Sequence, residues 1–318
     1  MKLLAFLCLF ISVSAFADKL IIEPDMGKQP LLNAINHTKQ SIHLVMYGFT
    51  DEQLLNALAQ QKQRGKSLKI ILENNPYKAA GENTKAIQSL ESSHIDLQSS
   101  ASPFRFIHQK TLIIDGREAI VMTFNFTKST FKHERNFALI IDDPQKVNEI
   151  DSVFSSDWNH KSAPHQNPEL IYSPDDSRAK LLNLISNAKQ TIKIYAQTIS
   201  DYKIVGALAK AARDGIEVDI LTSSSLRTKQ AAYLKKAGVI LHQSNHYYIH
   251  AKVFIFDNQQ AVIGSINLTR ASLDDNRELA VITRDASVIK QLNATFMNDW
   301  PNAISIGKAL SWMRVLIR

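Results

Sequence analysis

Two histidine and lysine pairs carry the first chemical signal in this chain: His108 with Lys110 in "FIHQKTLIID", and His250 with Lys252 in "YIHAKVFIFD". Within each pair the residues are two apart in a run of strand-like character, so both side chains leave the same face. An imidazole beside an ammonium group, present twice, suits a phosphate ester. The ammonium groups offset charge on the phosphoryl oxygens, one imidazole attacks phosphorus, and the other protonates the leaving oxygen. Beyond Asp257 the second copy reads "GSINLT", where Ser265 and Asn267 offer hydrogen bonds to an anion; beyond Asp115 the first copy supplies Thr123 and Asn125. Bringing the two strands together gathers two His, two Lys and two Asn around one site.

The elements that must position these residues are themselves duplicated. Residues 31–71 lie over residues 181–221 at an offset of 150, with Leu31/Leu181, Lys39/Lys189, Gln40/Gln190, Asp51/Asp201 and Gly65/Gly215 shared. The histidine segments, and "FSSDW" against "FMNDW", align at an offset of 142, so the first half carries eight extra residues around "NNPYKAAGENTK". Each half reads as helix, strand, helix, strand, a less regular stretch, two strands and a closing helix. "SIHLVMY" and "TIKIYAQ" alternate as half-buried strands do. "DEQLLNALAQQKQRG" and "DYKIVGALAKAARDG" open on an Asp N-cap and end on Gly at C′. The expected fold class is therefore α/β, each half a mixed sheet flanked by helices. The polar segment 159–169 reads as a linker, giving halves at 18–158 and 170–318 related by a pseudo-two-fold axis.

Composition narrows the chemistry. The chain opens "MKLLAFLCLFISVSAFAD", whose apolar run and Ala15-Phe16-Ala17 suit a cleaved signal over residues 1–17. Export to a periplasmic or secreted location follows as an expectation. Cys8 is the only cysteine and lies in that segment, so the remaining chain has neither a thiolate nucleophile nor a Cys-ligated zinc. Loss of Lys2 lowers the formal charge from +7 to +6, which favours anionic partners, bilayer or nucleic acid.

The second copy resembles the phospholipase D superfamily, whose HxKxxxxD and GSxN motifs are matched by His250, Lys252, Asp257, Gly264, Ser265 and Asn267. The first copy keeps His108, Lys110, Asp115 and Asn125, with Met122 and Thr123 in place of Gly and Ser. Thr keeps a hydroxyl for phosphate, while Met for Gly bears on how closely backbone approaches a ligand. The resemblance covers almost the whole chain and implies two phospholipase D-like sandwich halves with one shared active site. It also implies a phosphodiesterase that needs no metal and passes through a phosphohistidine, with His108 as attacker and His250 as acid by the family's usual order, while the stronger second motif argues for the reverse. A family carboxylate about 28 residues after the histidine is matched by Glu278 in "NRELAV"; the first half reads "ERNFAL", with Glu134 and Asn136 exchanged. Glu278 is thus expected to orient an imidazole with charge, and Asn136 to orient one without it. Asp115 and Asp257, past the strand ends, are expected to be structural.

His242, His246 and His250 recur every four residues, but they lead into a strand and lack the Glu of HExxH, so no metal site is expected. Phe104, Phe106, Tyr247 and Tyr248 just ahead of the motifs fit either a cleft mouth that holds acyl chains or bases, or packing under a helix. The tail from Ile304 fits a docked final helix or a peripheral membrane contact. Hydrolysis of phospholipid to phosphatidic acid by a monomer is the first expectation for function. Cleavage of DNA or RNA, or phosphatidyl transfer of the cardiolipin synthase type, are the alternatives.

Overall fold

A computed structural model describes residues 17–77, 79–99, 103–163, 165–223 and 228–305. Residues 1–16, which hold Cys8 and most of the expected signal, and the tail from 306 lie outside the described residues. In the first half the elements run β1 (Lys19–Glu23), α1 (Gln29–Asn36), β2 (Ser41–Met46), α2 (Glu52–Gln63), β3 (Ser67–Leu72), α3 (Thr84–Ser92), β4 (Asp96–Ser99), β5 (Thr111–Ile114), β6 (Glu118–Met122), α4 (Thr130–His133), β7 (Glu134–Ile141) and α5 (Pro144–Trp158). The second half repeats them as β8 (Leu170–Ser173), α6 (Ser177–Asn187), β9 (Thr191–Ala196), α7 (Tyr202–Arg213), β10 (Glu217–Thr222), α8 (Thr228–Lys236) and β11 (Ile240–Ser244). It continues with β12 (Tyr248–Ile249), β13 (Lys252–Phe256), β14 (Gln260–Gly264), α9 (Arg270–Asp274), β15 (Glu278–Thr283), α10 (Ala286–Asp299) and β16 (Ala303–Ser305).

The two sheets share one strand order. The first runs β1-β7-β6-β5-β2-β3-β4, and the second β8-β15-β14-β13-β9-β10-β11 with β16 added at its edge. Asp51 and Asp201 cap α2 and α7 through two backbone amides each, and Gly65 and Gly215 follow those helices at φ of 79° and 94°, where a Cβ would be strained. The "less regular" stretches hold a further helix and strand in each half, α3-β4 and α8-β11. "ERNFAL" opens strand β7 and "NRELAV" leads into strand β15, which sequence periodicity had not separated from the loops around them. Between α5 and β8, the described residues form neither helix nor strand.

Packing follows the duplication. One apolar cluster lies under α1, α2 and α3 (Leu31, Leu54, Leu90), and its counterpart under α6, α7 and α8 (Leu181, Leu208, Leu234). A third joins the inner faces of both sheets, with Val121 and Phe137 from one and Val253 and Leu279 from the other, together with Phe154 and Phe296 of α5 and α10. This shared core fixes the two halves face to face, so removing either would expose the other's apolar surface to water. Among the described residues no helix is long and apolar enough to cross a membrane.

The halves also trade backbone. β12 pairs parallel with β7 of the first sheet, Tyr248 opposite Glu134 and Ile249 opposite Arg135. Ile107 bridges Arg277 in the same sense. Each histidine-bearing segment is therefore stitched to the other half before its own strand begins.

Candidate active site

That stitching sets the histidines. The amides of His108 and Gln109 donate to Arg277 O at 2.9 and 3.0 Å, and those of His250 and Ala251 to Arg135 O at 3.3 and 3.1 Å. Arg135 and Arg277 occupy the same position of the repeat, and each is held by carboxylates. Arg135 donates through Nε and Nη2 to Asp299 at 2.8 and 3.0 Å and through Nη1 to Asp25 at 2.9 Å. Arg277 does the same with Asp157 at 2.8 and 3.0 Å and Asp175 at 2.9 Å. Bidentate pairing of this kind gives fixed geometry as well as attraction. Asp157 and Asp299 are the Asp of "FSSDW" and "FMNDW", so that repeat block anchors the opposite half's arginine.

The turn after each histidine strand is fixed by its aspartate. Asp115 accepts hydrogen bonds from the amides of Lys39, Gln40 and Ser41 (2.6–3.2 Å), and Asp257 from those of Lys189, Gln190 and Thr191 (2.7–3.0 Å). Despite partial burial, these amides hold both carboxyls below the usual range. Neither aspartate contacts the histidines; both clamp the β5-β6 and β13-β14 turns onto the loop ahead of β2 or β9.

Orientation of the imidazoles crosses between halves, contrary to what the 28-residue spacing implies. Glu278 Oε2 lies 2.8 Å from Nδ1 of His108, not of His250. His250 Nδ1 instead faces Asn136 Oδ1 at 3.1 Å, with Glu134 Oε2 at 3.9 Å. The inter-half bridges cause the exchange: the start of β15 is brought against His108, and the start of β7 against His250. Glu278 Oε1 is held by the Ser272 hydroxyl and by Asn276 Nδ2 at 3.3 Å.

Burial dominates the electrostatics. It lowers His108 to about 4, with Glu278 pulling the other way and Lys110 adding to the fall. His250 is held well below the usual imidazole range by burial and by Lys252, Lys110 and His108. Lys110 is lowered to about 7 by burial, and Lys252 falls well below its ordinary value by burial and by Lys110. Burial alone would raise Glu278, but His108 and Lys110 keep it below the usual range. These shifts favour neutral imidazoles, and His108 with Nδ1–H donated to Glu278 has its Nε2 lone pair free. Burial, and for Lys252 also the neighbouring Lys110, disfavours the charged form of both lysines, and a bound anion would favour it again.

The lysines sit beside their own histidines. Lys110 Nζ donates to His108 O and lies 5.0 Å from the Tyr47 ring centroid. Lys252 Nζ donates to His250 O and stands 3.3 and 3.5 Å from the two ring nitrogens. Asn125 Oδ1 accepts from the Gly48 amide at 3.3 Å, whereas the buried Asn267 Oδ1 has no hydrogen-bond partner.

Three expectations change. The Thr123 hydroxyl, expected on phosphate, is fully buried; it donates to Asn136 Oδ1 at 2.8 Å and accepts from the Phe137 amide at 3.0 Å, so it braces the His250 arm. Ser265 similarly faces Leu279 N and O at 3.2 and 3.3 Å. Gly264 is required by strand packing rather than by a ligand: a Cβ there would meet Leu279 O at 2.3 Å and Ala280 Cα at 2.4 Å. Met122, its counterpart, is buried in the first-half core.

Phe106 joins an aromatic wall with Tyr47 and Tyr77, at centroid distances of 6.2 and 6.4 Å, and Tyr47 lies edge-on to His108 at 4.7 Å. Tyr248, half exposed, lies 6.4 Å from His250 and its hydroxyl is 3.3 Å from Gln197 Nε2. Sequence reasoning missed Tyr47, Arg135 and Arg277; the arginines could have been found from their matched positions in "ERNFAL" and "NRELAV". Away from the site, His242 stacks on Trp300 at 4.0 Å and His246 lies 4.1 Å from Tyr247. Among the described residues no group of three or more His, Cys, Asp or Glu is placed to hold a metal ion.

Comparison with known proteins places this geometry in context. A family profile described as "Cardiolipin synthase, PLD-like domain" matches residues 31–158 and again 181–300. "Cardiolipin synthase 2" of Staphylococcus epidermidis is 23% identical over 85% of this chain and 65% of its own length. The chain thus spans about two thirds of the length of such curated relatives. Among solved structures, polyphosphate kinase from Porphyromonas gingivalis superposes with a TM-score of 0.74 at 16% identity, covering 91% of this chain and 50% of the kinase. Phosphatidylserine synthase of Haemophilus influenzae gives 0.73 at 10% identity, covering 92% and 88%. Likeness at these identities extends to the fold alone.

Proposed function

The chain belongs to the phospholipase D superfamily, in the family of cardiolipin synthase PLD-like domains, and from that premise we propose that it transfers a phosphatidyl group from a phospholipid to an alcohol. Similarity to the cardiolipin synthases supports transfer over the hydrolysis expected from sequence, which becomes a side reaction with water as acceptor.

The observation that carries this reading is the unlike pair of histidine partners, a carboxylate on His108 and an amide on His250. His108 Nε2 attacks phosphorus; a P–N bond forms as the P–O bond to the head group breaks. The resulting imidazole is cationic; it keeps its Nδ1 proton and donates it in a hydrogen bond to Glu278, whose negative charge stabilises it. His250 enters the step protonated once the substrate's negative charge is present, and gives its Nε2 proton to the departing oxygen. Its amide partner fixes the ring without stabilising its cation as a carboxylate would, which makes it a readier donor. The incoming alcohol then loses its proton to His250 as its oxygen attacks phosphorus, and the P–N bond electrons return to His108. Lys110 and Lys252 offset charge on the non-bridging oxygens.

The test is mass spectrometry of phosphatidylglycerol vesicles incubated in excess EDTA with the parent protein or its His108→Asn variant. Cardiolipin and free glycerol from the parent alone are expected. Phosphatidic acid with no cardiolipin would return the reading to hydrolysis, and cleavage of DNA or RNA with lipid untouched would make the chain a nuclease.

A further inference from the structure

Glu23 is fully buried, neither of its carboxyl oxygens has a hydrogen-bond partner, and no step above uses it. It lies directly opposite Asn136 in the antiparallel β1-β7 register, and opposed residues of such a pair share a face. In the second half the same register sets Ser173 opposite Glu278. Around each orienting residue the charges are inverted. The His250 arm has Glu23 and Glu134 flanking an uncharged Asn136; the His108 arm has Ser173 and Asn276 flanking a charged Glu278. Asn136 Nδ2 donates to Glu134 Oε2 at 3.0 Å, just as Asn276 Nδ2 donates to Glu278 Oε1 at 3.3 Å, with donor and acceptor positions reversed.

We propose that Glu23 is a positioning residue for the general-acid arm: with Glu134 it makes position 136 a place where only an uncharged acceptor fits, and so keeps a carboxylate out of direct hydrogen-bond contact with His250, Glu134 standing off at 3.9 Å. This rests on the function proposed above and adds how the two histidines are kept chemically unlike. A carboxylate at position 136 would meet Glu134 on one side and, on the other, a buried Glu23 with no donor to offset its charge. The groups facing Glu23 are few. Burial pushes its carboxyl up to about 8; the Gly27 amide faces it without closing a hydrogen bond, Asp25 adds to the rise, and Arg135 opposes it. Arg135 Nη1 is instead held by Glu23 O at 3.0 Å and by Asp25. Neutral Glu23 therefore leaves the arm with less negative charge than its two carboxyl groups suggest.

The experiment uses the full chain and phosphatidylglycerol vesicles, whose glycerol leaving group needs the proton that the His250 arm supplies. Asn136→Glu alone is expected to lower kcat about 10²-fold with KM little changed. The triple variant Glu23→Ser, Glu134→Asn, Asn136→Glu, which copies the second half's arrangement, should recover at least about tenfold of that loss. It should also raise the apparent pKa of the proton-donating limb by about one pH unit, since His250 would then face a carboxylate. Full activity in Asn136→Glu, or no recovery and no pH shift in the triple variant, overturns the proposal. Melting of Glu23→Gln is a second readout, independent of turnover. A folded-state value raised from 4.5 to about 8 means that the folded protein binds more protons in that window, so the parent loses stability as pH rises through it. The variant's advantage in Tm should grow from pH 5 to pH 8; a constant difference would overturn the neutral, buried Glu23. Failure of the parent to cleave the diester would sink the catalytic reading, and the melting series would still decide for or against Glu23.

Discussion

The two halves share a strand order, a helix-capping pattern, an aspartate that clamps each hairpin and an arginine tied to the opposite closing helix. They differ where the imidazoles are oriented. His108 faces a carboxylate and is walled by Tyr47, Phe106 and Tyr77; His250 faces an amide and is bordered by Tyr248 and Gln197. Duplication thus preserved what holds the strands and altered what sets proton affinity. One site gains two imidazoles of unlike character from one repeated segment.

The widest test of that difference compares the histidines directly. His108→Asn should abolish turnover by about 10⁴-fold or more with every ester, because no covalent intermediate forms. His250→Asn should cost about 10²–10⁴-fold with a lipid, yet far less in the first step with a nitrophenyl ester, whose leaving group needs no proton. Rapid-quench detection of phosphohistidine in His250→Asn, and its absence in His108→Asn, checks the assignment; the reverse pattern would exchange the roles.

The orienting residues should follow in the same order. Glu278→Gln is expected to lower kcat about 10²–10³-fold, since the phosphorylated His108 loses its counter-charge. Asn136→Ala should cost only about tenfold. Steady-state kcat and KM for both variants would show it, and equal losses would erase the distinction between the arms.

At the scaffold level, Gly264→Ala should destabilise the fold by about 1–3 kcal/mol, because its Cβ would meet the β15 backbone. Met122→Leu at the equivalent position should change stability by less than about 1.5 kcal/mol. Denaturant titration reads both. The smallest effect concerns acid stability. His108, lowered from 6.5 to about 4, binds fewer protons folded than unfolded in that window, so stability falls as pH drops from 6.5 towards 4. His108→Gln should flatten that slope of Tm against pH, with no change near pH 8.

Much of this was legible in the residues alone. Offsets of 150 and 142 delimited two equivalent halves, and the His-x-Lys spacing placed each pair on one strand face. The crossed partners were not legible. Spacing along a chain fixes which face a side chain takes, but not which sheet end it meets across an interface, so Glu278 was read with the histidine it follows rather than with His108. Thr123 was read as a phosphate ligand for a related reason: its hydroxyl type was visible, but the Asn136 it meets across the β6-β7 pair was not. Glu23 gave no signal, because a carboxylate at a strand end usually faces water and only register sets it inside.

The crossing has a consequence for how the protein comes into being. A growing chain that has reached residue 277 contains both histidines and both lysines, yet His108 still lacks Glu278, and Arg135 waits on Asp299 to be held. The first half cannot act while it stands alone on the ribosome, and a fragment cut between the halves is expected to be inert. Synthesis of β15 and α10 is itself the step that completes the site's geometry.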